Sequence, residues 1–159
     1  NRFNPGGRGR NHLEELLPSV DQVREALTIA EAASQEFGIP ISCSIPIQPC
    51  LIDTSAFPHV SFGFCAAGTE RAYYTLDPLG NVRPCNHSTT ILGNLVTEAF
   101  SDILAKEELY GFTRSLPAHC TLCEQHALCQ GGCKASAQVC YGSLTELEPF
   151  LRQAVPVAR

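Results

Sequence analysis

The alternation of apolar and polar positions divides the chain into a few stretches of helical or strand period. Residues 1–18 carry no period and read as a Gly/Arg-rich loop. Ser19 then stands as an N-cap, with Gln22 as its capping-box partner. Val23, Ala26, Leu27, Ala30, Ala33 and Phe37 follow on one helical face, and Gly38 and Pro40 stop the helix. The apolar run Ile39 to Ile47 predicts a short buried strand whose pairing is limited by Pro46. Loop, helix and strand in this order predict the end of an α/β unit over residues 1–50.

From Pro49 the pattern changes. Residues 49–64 read as loop. Arg71 to Leu76 alternates and predicts a strand, Asp77-Pro78-Leu79-Gly80 a turn, and Asn81 to Cys85 the returning strand of a hairpin. Val96, Phe100, Ile103, Leu104 and Leu109 predict one amphipathic helix over residues 96–110. The run from Gly131 predicts a short helix ending near Gly142. The fold class expected is α+β, with a second unit over residues 51–159.

Composition adds exclusions. The apolar fraction of 44% is that of a globular protein, and the net charge of -5 leaves no basic footprint for nucleic acid or an anionic membrane. No apolar run approaches a membrane span and no signal-peptide pattern opens the chain, so a cytoplasmic location is expected. The chain starts at Asn1 and contains no Met, which reads as a piece of a longer protein. PGGRG lacks the strand-to-helix context of a phosphate-binding loop. Arg2, Arg8 and Arg10 in this opening read as a solvated loop, with a position at a barrel mouth as the alternative.

Nine cysteines change the picture: Cys43, Cys50, Cys65, Cys85, Cys120, Cys123, Cys129, Cys133 and Cys140. Without secretory signals, such close spacing points to metal or redox chemistry, and an odd count would leave a disulfide framework one thiol short. Cys120, Cys123, Cys129 and Cys133 are spaced CX2CX5CX3C, and Gly131 and Gly132 let the backbone approach a metal centre closely. The residues alone leave two readings open, a thiolate zinc site in a structural or interaction module and an iron–sulfur cluster. His119, His126 and His87 read as solvent-exposed or as donors beside a cluster, with ligation by His119 or His126 as the alternative.

Upstream, Cys65 and Cys85 frame Gly80 as CX14GX4C. This pattern, LDPLGNVRPCNHS, ILGNL, and then LPAHCTLCEQHALCQGGCKASA together resemble the SPASM domain of radical S-adenosylmethionine enzymes, over about residues 60–150. Residues 1–50 resemble the end of the partial (β/α)6 barrel that precedes it in peptide-modifying members. The resemblance implies two auxiliary 4Fe-4S clusters with crossed ligation. Cys65, Cys85 and Cys133 would hold the first; Cys120, Cys123 and Cys129 would hold the second. For the fourth ligands, Cys50 is expected at the first cluster, with an open iron site as the alternative. Cys140 is expected at the second, with an inert thiol as the alternative, because the position of the family's last cysteine is here Leu151. Cys43 reads as core.

The family's radical-forming CX3CX2C motif is absent from this chain, so the fragment alone is expected to be inactive. A full-length parent would carry a third 4Fe-4S cluster and S-adenosylmethionine. It would take a peptide or protein substrate and draw electrons from a donor such as flavodoxin or ferredoxin. The auxiliary clusters would serve electron transfer, substrate binding or both.

Overall fold

A computed structural model describes residues 1–155. A 3-10 turn at Gly7–His12 leads into α1 (Leu13–Leu16) and the long α2 (Val20–Phe37). The start of α2 is set by Ser19, whose hydroxyl accepts from the Gln22 N–H while the Gln22 side chain accepts from the Ser19 N–H. Its end is Gly38 in the left-handed region. Val23 and Leu27 bury the inner face of α2, while Phe37 in its last turn stays 66% exposed rather than joining that face.

Beneath α2, β1 (Ile41–Cys43) pairs in parallel with β2 (Val60–Phe62), in the register Ile41 opposite Val60 and Cys43 opposite Phe62. The strand expected over residues 39–47 is thus shorter, bounded by Pro40 and Pro46, which offer no N–H to a ladder. The partner β2 lies inside the stretch expected to be all loop. Ile47, Ile52, Phe57 and Phe150 complete this core with the α2 residues, joining chain on both sides of residue 50.

A three-stranded antiparallel sheet follows, with β3 (Thr75–Leu76) and β5 (Gly93–Asn94) flanking β4 (Asn81–Arg83). The hairpin turn closes as expected. Asp77 Oδ1 accepts from the Leu79 and Asn81 N–H groups, and Gly80 takes φ +86 against the Asn94 side chain. Its first strand is short because residues 69–72 form a turn instead. The third strand, in the Gly- and Asn-containing ILGNL, has no period-2 signature and was not expected.

The helix expected over residues 96–110 is two helices, α3 (Phe100–Leu104) and α4 (Glu107–Arg114). Ile103 and Leu109 are both buried in one cluster with Val82 and Leu92. On one continuous helix they would point about 120° apart, so the chain turns at Ala105–Lys106 to bury both. Lys106 pairs with Glu98 across that turn. The tail forms α5 (His126–Cys129), α6 (Lys134–Tyr141) and α7 (Pro149–Arg152), with Gly142 capping α6 in the left-handed region. No helix among the described residues is long and apolar enough to cross a membrane.

Candidate metal centres

The cysteines are placed by short, locked pieces of backbone. Cys65 follows β2 and Cys85 follows the buried Pro84 at the end of β4. Cys133 is the N-cap of α6, and its sulfur receives the Asn4 amide at 3.4 Å. These three line one cavity of about 350 Å3, together with Tyr73, His87 and Phe112. Burial, followed by Cys85, Cys65 and Cys133, raises the pKa of the Tyr73 hydroxyl.

Cys120 ends a single 3-10 turn after Pro117, Cys123 follows in the next turn, and Cys129 ends α5. They line a second, smaller hollow of about 40 Å3 with Cys50, His119, His126 and Leu151. Gln130, Gly131 and Gly132 all have positive φ, which reverses the chain between Cys129 and Cys133. The last cysteine of the tight run therefore faces the other cavity.

Two cysteines stand elsewhere than expected. Cys50 lies beside Cys120, Cys123 and Cys129, and not with Cys65, Cys85 and Cys133. It sits on a turn closed by the Gln48 carbonyl, which accepts from the N–H groups of Leu51 and Ile52, and buried Gln48 anchors that turn toward the tail. Cys140 lines neither cavity. Helix α6 carries it about 10 Å along the axis from Cys133, where Arg10 and Glu148 are its charged neighbours. Cys43 is buried in β1 among apolar side chains, as expected, with its thiol on the Ile45 carbonyl.

The donor set fits iron–sulfur clusters. All nine cysteines are free thiols. Backbone N–H groups lie near the sulfurs, those of His87 and Ser88 by Cys85, those of Gly131 and Gly132 by Cys129, and that of Ser136 by Cys133, where they work to lower the thiol pKa. Such donors favour a thiolate over a thiol and hold it in place at a cluster. Burial works the other way, raising Cys120 to about 11 and, with help from the Glu148 carboxylate, Cys133 to about 12. Among the described residues no three His, Cys, Asp or Glu side chains converge tightly enough for a single metal ion.

The sequence reading missed the groups that tie the two centres together. Arg2, read as solvated or at a barrel mouth, is buried. Its Nη2 donates to both oxygens of Glu148 at 2.6 Å, its Nε donates to the Pro46 carbonyl at 3.0 Å, and its guanidinium lies over the Phe150 ring. Glu148 also accepts from the Gln48 amide and from the Cys133 N–H at 2.9 Å. A Cβ on Gly132 would strike both Gln48 and Glu148, so this glycine is required by the carboxylate beside it. A lone acid inside the apolar run Leu147 to Leu151 was the available signal. Lys134 is buried with its Nζ on the Gln130 carbonyl, within electrostatic reach of Cys65 and Cys133 of one set and Cys129 of the other. At His87 it is the backbone N–H, near Cys85, that works to lower the thiol pKa.

Residues 65–134 match the family model of SPASM, an iron–sulfur cluster-binding domain, and the resemblance stands over that stretch. The chain is also similar to curated relatives named PqqA peptide cyclase. One, from Xanthomonas oryzae pv. oryzae (strain MAFF 311018), is 25% identical over 155 residues, covering 93% of this chain and 40% of the relative. Another, from Gluconobacter oxydans (strain 621H), is 25% identical over 151 residues, covering 90% of this chain and 39% of the relative. The chain thus spans about 40% of the length of the curated relatives it matches.

Proposed function

From the SPASM resemblance of residues 65–134 we infer that this chain is the auxiliary cluster-binding region of a radical S-adenosylmethionine enzyme that modifies a peptide. The observation that carries this reading is the sorting of six cysteines into two separate sets of three, each beside backbone N–H donors. Cys65, Cys85 and Cys133 would hold one 4Fe-4S cluster, and Cys120, Cys123 and Cys129 a second. The peptide substrate is supported by the name that the relatives share. Residues 1–50 would be the end of the parent's partial barrel, a reading supported by helix α2 lying on the parallel pair β1–β2.

Bound clusters would supply one-electron redox capacity close to a substrate. The chain's own residues supply the rest. Buried Cys133 and Cys120 must each release a proton to ligate, so loading expels protons and favours higher pH. The N–H groups of Gly131, Gly132, His87 and Ser88 then offset the thiolate charge. The Lys134 ammonium, buried between the two sets, lowers the cost of placing two anionic centres in one small domain. S-adenosylmethionine, the third cluster and the electron donor would belong to the rest of the parent enzyme.

Anaerobic reconstitution followed by iron, sulfide and zinc analysis tests this reading. About eight irons and eight sulfides per chain are expected for two four-iron clusters. Two zincs without sulfide would replace it with a structural zinc module.

A further inference from the structure

We propose that Cys50 is the fourth thiolate of the second centre, completing Cys120, Cys123 and Cys129 from the N-terminal side of the domain. The inference rests on the cluster reading above. Leu151, where the SPASM resemblance would place the family's last cysteine, lines the same hollow as Cys120, Cys123 and Cys129. It is 1% exposed and packs with Cys120 and Leu147. A leucine there walls the centre but cannot bind iron, so a fourth thiolate has to come from another side.

Cys50 meets it. Its side chain lines the hollow, and its sulfur lies within electrostatic reach of Cys120, Cys123 and Cys129. The turn that carries it is held at its base. Gln48 is fully buried with its amide on Glu148, the Gln48 carbonyl accepts from Leu51 and Ile52 at 2.9 and 3.1 Å, and Ile52 is 2% exposed. Between these anchors Cys50 is itself exposed at the rim of the hollow.

The rival donors are less well placed. Cys140 lines neither cavity. His126 lines the hollow but is exposed on the same tight run, with its Nδ1 held on the Cys123 carbonyl at 2.7 Å and only Nε2 left to reach a metal. His119 lines the hollow but is exposed on the run that carries Cys120. The consequence of Cys50 ligation is topological. Closing the second centre from residue 50 and the first from residues 65 and 85 ties the α2–β1–β2 unit to the tail at two points.

The test uses the full chain after anaerobic reconstitution. Cys50→Ala should lower iron from about eight toward about seven or four, with a three-iron signal in the paramagnetic resonance spectrum or loss of one cluster. Added 2-mercaptoethanol should return the four-iron spectrum in Cys50→Gly. Cys140→Ala and His119→Ala should load as the parent chain does. In the parent chain, loading should protect Cys50 from iodoacetamide while Cys140 remains reactive, as read by peptide mass spectrometry. Far-ultraviolet circular dichroism of metal-free Cys50→Ala checks that the exposed substitution leaves the fold intact.

Full cluster content in Cys50→Ala, or loss of a cluster in Cys140→Ala or His119→Ala, would overturn the assignment while leaving the two-cluster reading in place. A parent chain that takes up no iron and sulfide would overturn both.

Discussion

Gly132, Glu148 and Arg2 show how much of the site depends on single residues that carry no cluster chemistry themselves. Gly132 sits at φ +87 with no room for a Cβ. Gly132→Ala is expected to cost at least about 1–3 kcal/mol from backbone strain alone, read by urea unfolding of the metal-free chain. Glu148→Ala leaves the Arg2 guanidinium, 2% exposed, without its carboxylate. The expected loss is about 3–5 kcal/mol, large enough to unfold a marginal domain.

The buried thiols set a pH dependence. The folded-state pKa of Cys133 and Cys120 lies above the ordinary thiol value of 9.0, at about 12 and about 11, with burial as the main cause. A group raised on folding contributes its stability fully below the unfolded value and loses it as pH rises through the folded value. The metal-free chain should therefore lose melting temperature from about pH 9 upward, and Cys133→Ser should flatten part of that fall. A profile that rises with pH in this range would refute the assignment of neutral buried thiols.

Among the elements, α2 was the most legible, because its cap, apolar stripe and stop are all local. Ser19→Ala should cost about 1 kcal/mol by removing the capping box, while iron content after reconstitution stays unchanged, since the cap is remote from both cavities. The strands were much less legible. Strand β2 was hidden in a stretch with Pro58 and Gly63, and β5 in a Gly-Asn dipeptide, because each exists only through its partner's hydrogen bonds. The helix break at Ala105–Lys106 has the same origin. Its local pattern suits one helix, and only the need to bury Ile103 and Leu109 in one cluster divides it.

Over the whole molecule, the first cysteine set joins Cys65 and Cys85 to Cys133 of the tail, and Cys50 lies beside the second set from far upstream. Cluster loading should therefore be coupled to folding. Stripping the metal with a chelator is expected to lower the melting temperature of the reconstituted chain, and Cys123→Ala or Cys129→Ala should remove the second cluster and loosen the tail. Unchanged iron in either variant would refute their role. Cys43→Ala, in the core of β1, should keep both clusters, and loss of one would mean that a ligand has been misplaced.

The cysteine spacing, the Gly80 turn and the capped helix were legible in the sequence because each depends on residues a few positions apart, whose geometry the backbone dictates directly. The pairing of Cys50 with the tail, the exclusion of Cys140, and the Arg2–Glu148–Gln48 hub were not legible. They join residues 44 to 146 positions apart, or turn on how a helix carries a side chain away from a cavity. Those outcomes follow from packing a buried carboxylate and its partners between the two ends of the chain, which only the folded molecule decides.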